Sequence, residues 1–170
     1  MNNHDMGATK HLLLLRHAKS SWDDPALADH DRPLAPRGRR AARAIGSFLS
    51  DHEIPISLVL CSSARRARDT VELAEPAGEL QIEEALYGAS AGELLERLRR
   101  LPEEADVVML VGHNPSIEQL AFGLATNPDE LAGRKYPTGG LAWLSLSGPW
   151  ESLAPGRAEL VSFVTPRELG

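Results

Sequence analysis

Two histidines and a set of arginines carry the chemistry this chain could perform. Arg16-His17 opens the segment Arg16-His17-Ala18-Lys19-Ser20. Arg65, Arg66 and Arg68 follow Cys61-Ser62-Ser63-Ala64, and Gly112-His113 precedes Asn114-Pro115. An imidazole with an ordinary pKa of about 6.5 is substantially neutral at physiological pH and needs no strong base to activate it. Guanidinium groups are planar forks that take phosphate oxygens in pairs. Together these residue types describe a site where a phosphate-like anion is attacked by an imidazole. Arg16 and one arginine of the second segment would hold its oxygens. A helix starting near Asn114 would add backbone N–H groups and the positive end of its dipole.

Three segments far apart in sequence meet only if the elements before them align. His11 to Arg16 reads as a short buried strand, apolar and too short for a helix. Ile56 to Cys61 and Val107 to Val111 read the same way, so each chemical segment begins where a strand ends. Residues 18–35 read as loop. Pro36 opens a helix, with Ala41, Ala44, Ile45, Phe48 and Leu49 as its apolar stripe. A second helix runs from about Ala64 to Glu75, with Ala67, Val71 and Ala74 inward. Leu80 to Ile82 reads as a short strand. Ser90 and Glu93 form a capping box ahead of Leu94, Leu95, Leu98 and Leu101. Asn114 and Pro115 read as the cap and first turn of a helix carrying Ile117, Leu120, Ala121 and Leu124. Leu141 to Leu146 and Glu159 to Val164 are the remaining strands. Strands alternating with helices predict a three-layer α/β/α fold with a mostly parallel central sheet. In such sheets ligands bind beyond the carboxyl ends of the strands.

The 170 residues suit one domain, taken as residues 11–170 behind a flexible polar leader at 1–10. The net charge of −6 disfavours bulk nucleic acid and anionic membranes as partners. No apolar run approaches a membrane span. The single cysteine, Cys61, excludes an internal disulfide and a multi-cysteine zinc site and fits a cytoplasmic protein. Cysteine-phosphatase chemistry needs an arginine six residues after the cysteine, and Ala67 stands there. A zinc site built from His17 and His113 lacks a third ligand, so no metal and no cofactor is expected. His4, His11, His30 and His52 have no motif partners and read as surface or structural. Arg65 and Arg68 read as surface or rim. Arg32 and Thr138 read as structural, with Arg32 pairing an acid to order its loop.

Arg16-His17, the spacing Ser62-x-x-x-Arg66-x-x-x-Thr70 and Gly112-His113, in that order, resemble the motifs of the histidine phosphatase superfamily, the phosphoglycerate mutase-like group. The resemblance extends over about residues 11–165. Arg16-His17-Ala18-Lys19-Ser20, Asp31-Arg32-Pro33-Leu34 with Gly38, Tyr136-Pro137-Thr138-Gly139-Gly140 and Val164-Thr165-Pro166-Arg167 are most similar to the SixA-type phosphohistidine phosphatases. The resemblance implies His17 as a nucleophile that becomes transiently phosphorylated, Arg16 and Arg66 as phosphate ligands, and His113 as a donor to the phosphoryl oxygens. Asn114 is a further expected phosphate-binding residue. Relatives acting on phosphate esters place a carboxylate after the third strand to protonate the leaving oxygen. Glu84, with Glu83 beside it, is the candidate here. An alkoxide needs such a donor, whereas the imidazole of phosphohistidine can leave already protonated. The expected substrate is phosphohistidine on a protein. The alternatives are small phosphate esters or anhydrides, and a non-catalytic phosphate-binding module.

Overall fold

The structure is a computed structural model and describes residues 9–169. The expected leader falls almost wholly outside the described residues. Lys10, which that reading had assigned to the leader, already belongs to the first strand. In chain order the elements are β1 (Lys10–Arg16), α1 (Pro36–Asp51), β2 (Leu58–Ser62), α2 (Arg65–Ala74), β3 (Glu79–Glu83), α3 (Ala91–Arg99), β4 (Val107–Gly112), α4 (Ser116–Leu124), β5 (Leu141–Leu146), β6 (Glu159–Val164) and α5 (Pro166–Leu169). The six strands form one sheet in the order β3-β2-β4-β1-β5-β6. The pairs β3–β2, β2–β4 and β4–β1 are parallel, while β1–β5 and β5–β6 are antiparallel. The three strands that end in the chemical segments, β2, β4 and β1, are therefore adjacent. Arg16 at the end of β1 lies in register with Gly112 at the end of β4.

Both faces of the sheet are covered, which is why β1, β2 and β4 are apolar without alternation. Leu12 and Leu14 pack with Leu94 and Leu98 of α3 and Ile117 and Leu120 of α4. Leu13 and Leu15 face the other way, toward Ile45 and Phe48 of α1 and Ala67 and Val71 of α2. Ser90 caps α3 through the expected reciprocal bonds with Glu93. β3, at the edge, leaves Leu80 and Ile82 exposed.

Two helix details differ from the periodicity. In α1 the buried face is Gly38, Ala42, Ile45, Phe48 and Leu49. Ala41 and Ala44 are only half-buried, because they sit a quarter-turn off the line toward the sheet. α4 begins at Ser116, one residue later than an Asn114 cap would place it. Asn114 still serves the helix start, since its Oδ1 accepts the Glu118 backbone N–H at 3.2 Å. The Asn114–Pro115 peptide bond is cis.

Candidate active site

β1 hands its last residue directly to the site. The His17 ring is buried, and its Nδ1 lies 2.8 Å from the Ala18 carbonyl oxygen. That oxygen can only accept, so Nδ1 carries the proton and donates. The Nε2 lone pair is thereby left free. Burial lowers the His17 pKa to about 3, with the nearby positive groups of His113, Arg66 and Arg16 adding to the effect. At neutral pH His17 is an uncharged imidazole whose Nε2 carries no proton.

Arg66 projects from the first turn of α2 and reaches three groups. Its Nε donates to His17 Nε2 at 3.3 Å, and its Nη2 to His113 Nδ1 at 3.4 Å. Its outer edge binds Asp29, with Nη1 on the backbone oxygen at 2.8 Å and Nη2 on Oδ2 at 3.1 Å. His113 follows β4. Because its Nδ1 accepts from Arg66, its Nε2–H donates to Ser62 Oγ, 2.8 Å away. Burial, then the Arg66 charge, lowers the His113 pKa to about 4. The His17 and His113 ring centres are 5.0 Å apart. Arg16 donates from Nη1 to the Tyr136 carbonyl at 2.9 Å, while its buried Nε has no partner among the described residues. A buried N–H without an acceptor is uncommon in folded chains and suits a place where an anion binds.

The structure thus brings His17, Arg16, Arg66 and His113 together. It does not bring in the two glutamates. Glu83 is held by Arg97, Nε on Oε1 and Nη2 on Oε2, both at 2.8 Å. Glu84 is exposed and makes no hydrogen bond to the cluster among the described residues. The side-chain amide of Asn114 donates to the Tyr136 carbonyl at 3.1 Å, so it fixes the same carbonyl that holds Arg16.

The carboxylate that does reach the cluster is Asp29, which the sequence reading had not singled out. Arg32, buried as the loop folds back, donates from Nε and Nη2 to Asp29 Oδ1 and from Nη1 to Ser20 Oγ at 2.7 Å. The expected role of Arg32 in ordering its loop is what the contacts show. Tyr87, next after the turn that carries Glu84, donates its hydroxyl to Asp29 Oδ2 at 2.7 Å. That bond above all, with Arg32 and Arg66, lowers the Asp29 pKa to about 2. His30 stands at the rim, 2.9 Å from Ser63 Oγ and edge-on to the Tyr87 ring. The i,i+3 spacing of Asp29 and Arg32 was the one local signal, and it competed with Asp23, Asp24 and Asp31 in the same loop.

The motif threonine also has a visible task. Thr70 Oγ1 accepts the Ala18 backbone N–H at 3.0 Å and donates to the Arg66 carbonyl at 2.7 Å. It ties the residue after His17 to the helix that carries Arg66. Cys61 is buried, and burial raises its thiol pKa to about 12, so it stays protonated as a packing residue. Among the described residues no group of three or more His, Cys, Asp or Glu side chains is arranged to hold a metal ion. No helix there is long and apolar enough to cross a membrane.

Residues 12–106 match the model of the histidine phosphatase superfamily (branch 1), and the chain belongs to that family. Within it the chain is of the SixA type. It is similar to the solved structure of a proposed phosphohistidine phosphatase SixA from Nakamurella multipartitia, with TM-score 0.85 and 34% identity over 93% of this chain and 96% of that one. A second proposed SixA, from Agrobacterium tumefaciens, aligns with TM-score 0.79 and 29% identity over 92% of this chain and 99% of that one. By sequence, an uncharacterized protein of Mycobacterium tuberculosis (strain ATCC 25618 / H37Rv) is 40% identical, over 90% of this chain and all of its own length.

Proposed function

We propose that the chain removes phosphate from phosphohistidine on proteins, through a covalent intermediate on His17. The observation that carries this reading is the pinning of His17 Nδ1 on Ala18, which leaves Nε2 unprotonated and turned toward Arg66. In the first step Nε2 attacks phosphorus, the Nε2–P bond forms and the P–N bond to the substrate breaks. Water then attacks phosphorus, the Nε2–P bond breaks, and phosphate leaves. Arg66 Nε turns from Nε2 to a phosphoryl oxygen as the substrate enters. The Nε–H of Arg16, without a partner among the described residues, takes a second, and His113 takes a third as its Nε2–H turns from Ser62 Oγ. Positioning and charge neutralisation are most of what phosphoryl transfer requires. Two arginines supply the positive charge, so the reaction runs without a metal ion. The preference for phosphohistidine is supported by the carboxylates. Glu83 and Glu84 are outside the cluster, and Asp29, with its pKa near 2, holds no proton for an alkoxide.

The test uses wild type and His17→Ala with a 32P-labelled phosphohistidine peptide, with and without a chelator. Wild type quenched in base should hold label that is base-stable and acid-labile, and turnover should persist in chelator. His17→Ala should neither trap label nor turn over. Ordinary turnover by the variant would refute the mechanism, and wild-type turnover confined to p-nitrophenyl phosphate would refute the substrate.

A further inference from the structure

A second concavity lies on the α1 side of the molecule, with a volume of about 850 Å³. Three cations reach it from α1 and the chain before it: Lys19, Arg37 and Arg40. Three more come from the other walls: Arg134, Lys135 and Arg167. These are six of the chain's 18 lysines and arginines, gathered in a protein of net charge −6. Among the described residues the only ion pair any of them makes is that of Arg134 with Glu168, at 2.6 Å. The other five make no side-chain hydrogen bond there. Between the cations the groove is lined by Ala41, Ala44, Pro137 and Pro166. The first two are the alanines that periodicity had assigned to the core. Arg37, Arg40, Ala41 and Ala44 are spaced three, one and three apart, so α1 presents them as one face beside its core face.

We propose that this groove docks an acid-rich, extended segment of the protein that carries the phosphorylated residue. The inference rests on the protein-substrate reading above. Unpaired cations attract negative charge over about a Debye length, 8 Å in physiological salt. The charges come from four separate segments of the chain, Lys19, α1, residues 134–135 and Arg167, and are spread over the walls of one groove. Small apolar side chains between them leave room for the backbone and short side chains of a ligand chain. A segment with acidic side chains to either side and small residues between matches both features. The acidic remainder of the surface disfavours a long polyanion that would overrun the groove. The groove also adjoins the active site along the chain. Lys19 is two residues beyond His17, and Pro137 follows Tyr136, whose carbonyl holds Arg16.

The experiment uses the full chain and a fluorescein-labelled, unphosphorylated peptide alternating Asp or Glu with Ala. Fluorescence anisotropy at physiological salt measures binding to wild type, to the double variant Arg37→Glu/Arg40→Glu, and to Ala44→Leu, which fills the floor but keeps every charge. Turnover of p-nitrophenyl phosphate is measured on all three. Wild type should bind, the double variant should bind at least about tenfold more weakly, and Ala44→Leu should also weaken binding. Turnover of p-nitrophenyl phosphate should stay within about twofold, since none of these residues touches the cluster around His17. Undetectable binding by wild type, or equal binding by wild type and the double variant, would overturn the groove while leaving the phosphatase reading intact. Displacement of the peptide by equimolar tripolyphosphate would overturn the peptide assignment in favour of a compact polyanion. Wild type inactive on every phosphohistidine peptide would overturn the protein-substrate reading alone, and the binding comparison would still decide the groove.

Discussion

Arg66 divides one guanidinium among His17, His113 and Asp29, whereas its neighbour Arg65 is exposed and among the described residues pairs only with Asp69, at 3.6 Å. Removing a preorganised charge donor typically loses about 2.7–4 kcal/mol of transition-state stabilisation. Arg66→Ala should therefore lower kcat/KM by about a hundredfold to a thousandfold, and Arg65→Ala by far less. Equal losses in steady-state assays would place the clamp elsewhere. Asp29 sets a second expectation. Its carboxylate neutralises Arg66 when no phosphoryl group is bound, and a unit charge about 5 Å away in water-like surroundings is worth about 1 kcal/mol. Asp29→Asn should strengthen inhibition by inorganic phosphate several-fold, and an unchanged inhibition constant would show that Asp29 acts only on loop geometry. The four residues that meet at the site were legible because each lies at or just after the end of β1, β2 or β4 and matches a motif. Asp29 and Tyr87 were not, because the contacts that tie them to the site span 37 and 58 residues, and the one local signal, the Asp29–Arg32 spacing, competed with other acids of the same loop.

At the scale of elements, the close approach of α1 to the strand-end loop is set by one residue. A Cβ on Gly38 would stand 2.0 Å from the Lys19 carbonyl oxygen, a backbone atom that cannot turn aside. Gly38→Ala must push α1 away from the segment that carries His17. Overpacking of this kind destabilises by about 1–3 kcal/mol. Urea unfolding should show that loss, and kcat should fall with it, since the Ala35 backbone N–H also bonds the Lys19 oxygen at 2.9 Å. An active, fully stable Gly38→Ala protein would contradict this packing. Strand and helix types were readable from apolar runs and caps. The departures have local causes. Ala41 and Ala44 looked like core because alanine is compatible with either face. The start of α4 was misplaced because Asn114 bonds to position 118 from outside the helix.

For the molecule as a whole, buried His17 and half-buried His113 make folding sensitive to acid. His17 is lowered from 6.5 to about 3 in the folded chain, and His113 to about 4. Between those values and 6.5 the unfolded chain binds more protons, so stability falls as pH falls through that window. Each group contributes at most about 1.4 kcal/mol per pH unit. His17→Ala should lose stability less steeply than wild type between pH 6.5 and pH 4, as read from urea midpoints. Parallel curves would mean that His17 is not held neutral by the fold. The order β3-β2-β4-β1-β5-β6 has a further consequence. The reacting groups hang from three neighbouring strands in the middle of the sheet, while residues 21–35, the Tyr87 turn and the 134–138 loop stand around them. Those surrounding loops can be lengthened, shortened or exchanged without re-registering any strand. Selectivity for what is attached to the phosphate can therefore drift, or be grafted, through these loops as long as Asp29 and Tyr136 keep their contacts with Arg66 and Arg16.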